Sequence, residues 1–111
     1  MSGEQGFELQ AAQGERCVRV DVDLGDDHTL QFTIWYGDPA EQVGGAIVTH
    51  RRSDGSWCQG SITFDVPISR EKRPVGPRWI VESWEPLTLS PSLRCHCGDH
   101  GFIREGQWVQ A

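Results

Sequence analysis

No apolar run in this 111-residue chain approaches the roughly 20 residues of a membrane-spanning helix. Basic charge is also scarce. Sixteen acidic residues stand against ten basic ones, a formal charge of −6. That argues against a nucleic-acid partner, because backbone affinity comes from lysine and arginine neutralising phosphates. The opening "MSGEQGFELQ" lacks the basic start and apolar stretch of a secretory signal peptide. The expected setting is therefore cytosolic, where disulfides are rare and clustered cysteines more often bind metal. HExxH, a serine nucleophile elbow, a Cys–His nucleophile motif and a glycine-rich phosphate loop are all missing from the sequence. Those absences lead to the expectation of a protein that is not an enzyme and takes no small-molecule substrate.

What is present points to one small all-β domain spanning residues 1–111. Thirteen glycines and six prolines leave little room for long helices, and five tryptophans supply much of the apolar area. A chain this short has a thin core, so a staple would matter to its stability. In "CVRVDVDL" (17–24), Val18, Val20, Val22 and Leu24 alternate with charged residues, the period of a half-buried strand. "GDDH" turns the chain, and "TLQFTIWY" (29–36) alternates again with Leu30, Phe32, Ile34 and Tyr36 inward. Residues 37–45 read as a loop. "AIVTH" (46–50) and "WCQGSITFDV" (57–66) read as strands around the turn signal Asp54-Gly55. Residues 67–77, with three prolines and several charges, read as a long exposed loop. "RWIVESW" (78–84) is a strand, and 85–95 is extended by Pro86 and Pro91. Residues 102–109 form a hairpin with Glu105-Gly106 at its tip, placing Ile103 opposite Trp108. The expected architecture is a small antiparallel sandwich or partly open barrel.

Chemistry concentrates in "RCHCGDHGF" (94–102). Cys97 and His100 lie three positions apart, with glycine between and just after them, the form of a metal-binding knuckle. A three-residue loop Ser53-Asp54-Gly55 would set His50 directly opposite Cys58, with Cβ atoms about 4.5–5.5 Å apart. Both share the apolar face of their strands. The expected ligand set is His50, Cys58, Cys97 and His100, with Cys95 as the alternative ligand in place of His50 or Cys58, around a structural Zn²⁺. Cys17 falls on the polar face of its strand and reads as a free cysteine. His28 and His96 read as solvent-exposed. Trp35, out of phase with its strand, is the candidate exposed contact residue; Arg70, Lys72 and Arg73 form a basic loop that could meet a partner.

Residues 78–109, through Trp84, "LTLSPSL", "CGDHGFI" and the glycine–tryptophan hairpin, resemble a family of small proteins of unknown function in bacteriophages and actinobacteria. The resemblance implies a phage or prophage origin and a metal knuckle at Cys97 and His100. The resulting expectation is a zinc-stabilised structural or interaction protein, such as a capsid-decorating or tail-associated virion component. Its partners would be other proteins, in a larger assembly or homo-oligomer, in the virion or the host cytoplasm. The alternatives are a soluble adaptor or host-directed binding factor and, less favoured, a small zinc hydrolase. Four protein ligands would close the coordination shell that a catalytic zinc keeps open.

Overall fold

In the computed structural model, the backbone is described for residues 4–6, 15–35 and 42–111, and side chains for 22–35 and 42–111. The chain is all-β apart from one short helix. A four-stranded antiparallel sheet runs in the order β2 (Glu15–Gly25), β3 (His28–Trp35), β4 (Gln42–Arg51), β5 (Trp57–Thr63). Three features make this meander. Val22 and Leu24 of β2 and Leu30 and Phe32 of β3 turn one apolar face to the core. Asp26 and Asp27, at φ 52° and 57°, make a tight turn between them. Gly55, at φ 87°, turns β4 into β5, with Asp54 Oδ1 accepting from the N–H and hydroxyl of Ser56 at 2.9 and 2.6 Å. The resulting register sets His50 opposite Cys58, as the three-residue loop requires.

After β5 comes α1 (Pro67–Lys72), followed by a two-stranded ribbon, β6 (Ile80–Trp84) with β7 (Leu87–Ser90). The chain then crosses at Pro91 into a second four-stranded sheet, ordered β1 (Glu4–Gly6), β8 (Ser92–Arg94), β9 (His100–Arg104), β10 (Gln107–Gln110). β9 and β10 form the expected hairpin: Trp108 pairs with Ile103, and Glu105 and Gly106 turn the tip at φ 51° and 75°. The core fills the space between the two sheets. Leu24, Leu30, Ala46, Val48 and Ile62 of the central sheet, with Phe64 just after it, pack towards Trp79, Leu87, Leu89, Leu93, Ile103 and Trp108. The sandwich form holds, and neither four-stranded sheet closes into a barrel.

Three local readings are corrected. Residues 67–72 are not loop but helix. Proline suits the first position of a helix, and Ile68 and Ser69 are buried beneath it. Six residues cannot sustain a helix by propensity alone, so tertiary contact holds this one, with the Ser69 hydroxyl donating to the Gly44 carbonyl at 2.7 Å. Residues 42–45, read as loop, are the start of β4, pairing with β3 and, at Gly45, with β5. Trp35, read as exposed, is only 4% exposed. A register shift between Thr33 and Ile34 inverts the alternation there, and the indole lies against Gly44, a residue with no side chain to obstruct it. Cys17 and Tyr36 have side chains outside the described residues.

Candidate active site and metal centre

The stretch 94–102 forms the end of β8, a knuckle, and the start of β9. The knuckle is closed by backbone bonds: the Cys95 N–H donates to the Asp99 carbonyl at 2.7 Å, and the Gly98 N–H to the Cys95 carbonyl at 2.9 Å. Gly98 sits at φ 98°, where a side chain would be strained. This turn aims Cys95 and Cys97 at the central hairpin, where His50 and Cys58 stand side by side. His50, Cys58, Cys95 and Cys97 each present one ligand atom, all within 4.8 Å of one another, and form a candidate metal site. The Cys58 and Cys95 sulfurs are 3.3 Å apart, and Cys97 Sγ is 3.4 Å from His50 Nε2. Tetrahedral zinc with bonds of about 2.3 Å spaces its sulfurs by about 3.8 Å, within the span of these separations. His50, Cys58 and Cys95 are buried, and Cys97 is exposed at one side, beside a depression of about 280 Å³.

Electrostatics follow from this burial. Desolvation pushes the Cys95 thiol up to about 12, the expected cost of an unpaired thiolate in a dry site. At Cys97 desolvation also acts upward. It is outweighed by the Asp99 N–H and by hydrogen bonds from Cys95 and Cys58, and the thiol lies below its ordinary value. Desolvation lowers His50 below 6.5, and Asp99 opposes it.

Behind the four donors lies a second layer. Asp99 Oδ2 is 2.6 Å from His28 Nε2 and 3.6 Å from His50 Nδ1. Carboxylates that face the far nitrogen of a ligating histidine orient such rings in metal sites. His28 is 4% exposed, not solvent-exposed as read from sequence. It pairs with His50 across the β3–β4 ladder and stacks between that ring, at 5.1 Å, and Trp108, at 4.1 Å. Trp108 reaches it by lying over Gly101, where a Cβ would come within 2.5 Å of the indole. His96 is exposed, as expected, although its ring nitrogens lie 3.7 Å from Cys58 and Cys95 Sγ.

His100 does not join the four. Strand alternation turns it to the face of β9 opposite Gly101, away from the knuckle. Its Nε2 stands 3.0 Å from Ser92 Oγ. Cys95, expected only as a substitute for His50 or Cys58, joins both of them and Cys97, and it is His100 that is left out. The reason is the knuckle: the tight Cys95–Asp99 turn ends before His100, which already belongs to β9.

The Ser92–His100 pair opens a second site. Leu93 pairs with Gly101 and Arg94 with His100, so Ser92 and His100 sit diagonally on one face of the β8–β9 ladder. That face forms the floor of a cleft of about 940 Å³, walled by Glu82, Thr88, Ser90, Phe102, Arg104 and Glu105 among others. None of the four metal donors lines it. Ser92 is 4% exposed and held at both ends. Pro91 precedes it at the crossing between sheets, and its carbonyl accepts from the Trp79 indole N–H at 3.3 Å. The His100 carbonyl is clamped by the Ala111 N–H at 3.0 Å and the Gln110 side-chain amide at 2.9 Å. No signal used in reading the sequence marks Ser92. It lies in "LTLSPSL", outside any nucleophile-elbow motif, and meets His100 only through strand pairing.

The basic residues divide. Arg70 is exposed and ion-paired with Asp65 at 2.9 Å, Lys72 is exposed, and Arg73 is half-buried, its carbonyl accepting from the Arg78 guanidinium.

A hydroxyl and an imidazole in hydrogen-bond contact at the foot of a cleft are the working parts of a serine hydrolase. Residues 36–111 match the family of the bacterial ubiquitination-like system serine protease, BubE. The chain belongs to the BubE family. No curated protein and no solved structure matches it. The matched region holds β4 to β10, both sites and α1, whereas His28 lies outside it. Family membership overturns two expectations: that the chain is a phage virion component or adaptor, and that it is not an enzyme. The likeness of residues 78–109 to a family is sustained, but that family is not specific to phages. Among the described residues no helix is long and apolar enough to cross a membrane.

Proposed function

We propose that this chain is a serine protease in which Ser92 is the nucleophile and His100 the general base. The observation that carries this reading is the 3.0 Å contact between Ser92 Oγ and His100 Nε2 in the large cleft. His100 Nε2 takes the hydroxyl proton as Oγ attacks a peptide carbonyl, then gives it to the departing amine. An ester forms between Ser92 and the acyl half of the substrate. Water, deprotonated by the same imidazole, cleaves that ester and restores the enzyme. The family's name supports a polypeptide substrate within a ubiquitination-like system. A cleft of about 940 Å³ has room for more than a single small side chain.

The metal that fits His50, Cys58, Cys95 and Cys97 is Zn²⁺: three thiolates and one imidazole within 4.8 Å of one another favour it over Mg²⁺ or Ca²⁺. With four protein donors the shell is closed, so the ion would serve structure. The test of the protease reading is covalent labelling by a fluorophosphonate, located by peptide mass spectrometry. A single adduct on Ser92, lost in Ser92→Ala and His100→Ala, supports it. Peptide hydrolysis that survives Ser92→Ala ends it.

A further inference from the structure

We infer that the metal centre is the positioning device of the protease site: an ion that never meets the substrate sets the geometry of Ser92 and His100. The inference rests on the Ser92–His100 reading above and concerns how that pair is held.

Ser92 and His100 stand on strands of three and five residues, joined by two paired positions. So short a ladder does not by itself fix a side-chain pair to the half-ångström that catalysis demands. The connection between the two strands is the Cys95–Asp99 knuckle, which contributes two of the four donors. The other two, His50 and Cys58, belong to the central sheet. An ion shared among them ties the tip of the catalytic hairpin to the rigid meander.

A second path reinforces the first. Asp99 directly precedes His100, and its carboxylate contacts both His28 and the far ring nitrogen of His50. The donor His50, the carboxylate of Asp99 and the backbone of His100 thus form one continuous chain of contacts. The cleft contains none of the four donors, which separates this arrangement from a catalytic metal.

Metal identity and metal presence should therefore have different effects. The experiment compares zinc-loaded, cobalt-substituted and metal-free protein, with Asp99→Asn alongside. It reads three quantities: the rate of fluorophosphonate labelling at Ser92, the metal stoichiometry, and the nitrogen resonances of the His100 ring. Zinc and cobalt proteins are expected to label within about twofold of each other, because the ion takes no part in the reaction. Metal-free protein is expected to label about tenfold or more slowly, with altered His100 resonances and recovery when zinc returns. Asp99→Asn is expected to keep one equivalent of metal at saturating zinc and still slow labelling several-fold; it keeps the question decidable if metal-free protein unfolds. Metal-free or Asp99→Asn protein that is folded, labels at the wild-type rate and leaves the His100 resonances unmoved would overturn the inference. So would a cobalt protein differing by tenfold, since that would place the metal in the chemistry. Zinc-loaded protein that never labels Ser92 defeats the protease reading instead, and the His100 resonances then still report whether the metal governs that hairpin.

Discussion

At the knuckle between β8 and β9, Cys95 and Cys97 turn inward to meet His50 and Cys58; one residue past the knuckle, His100 turns outward to a serine. The two sites share a hairpin and draw on the same cluster of residue types, yet they suit opposite tasks. The candidate metal site gathers donors from distant elements and buries three of them. The Ser92–His100 site takes both members from neighbouring strands and leaves them facing a cleft. A structural ion needs a closed shell, whereas a nucleophile needs room for a substrate. What separates them is strand phase: one place further along, a histidine changes from a candidate ligand to a candidate base.

The comparison is broken most sharply by Ser92→Ala. Peptide hydrolysis should fall by about 10⁴-fold or more, with metal content and melting temperature nearly unchanged; kinetics beside metal analysis check this. The converse substitution, Cys58→Ser, should lower stability by on the order of 4 kcal/mol, through loss of the ion, and calorimetry with and without zinc reads it. If Ser92→Ala released the metal, the two sites would be one.

Gly101→Ala tests the contact that links them. A Cβ there meets the Trp108 ring at 2.5 Å and the Val109 carbonyl at 2.7 Å. The expected cost is about 1–3 kcal/mol in denaturant unfolding, with His28 stacking perturbed.

Acid should act first on the metal half. Burial lowers His50 from 6.5 in the folded protein, so the unfolded chain binds the extra proton more readily. Stability is therefore present above 6.5 and is lost as pH falls from there through the folded value. Protons also compete with metal for the same nitrogen, which adds in the same direction. Urea midpoints of metal-free protein at pH 7.5 and 5.5 should drop towards acid, and His50→Asn should flatten the difference. The smallest effect belongs to the surface. The exposed Arg70–Asp65 pair should contribute less than about 1 kcal/mol, and Arg70→Ala should leave both sites intact by the same assays.

Much of this was legible from residue order. Valine alternation, Asp54-Gly55 and Glu105-Gly106 determine strands and turns locally, so the β4–β5 and β9–β10 registers, and with them the His50–Cys58 pairing, followed from the sequence. Other features depended on contacts between distant elements. The short helix α1 exists because Ile68 and Ser69 are buried, and Trp35 is covered because a bulge inverts its strand's phase. The choice of Cys95 over His100 depended on where a knuckle ends and a strand begins. Ser92 became visible only when β8 and β9 were laid side by side.

The sequence by itself determined an all-β chain with a cysteine- and histidine-rich turn suited to a thiophilic metal, because alternation, turn residues and ligand chemistry are local properties. Only the tertiary structure decided which side chains converge on the metal site and which pair faces the cleft. Those outcomes depend on strand register and sheet crossing, which bring together residues that are 47 positions apart in the case of His50 and Cys97 and eight apart in that of Ser92 and His100.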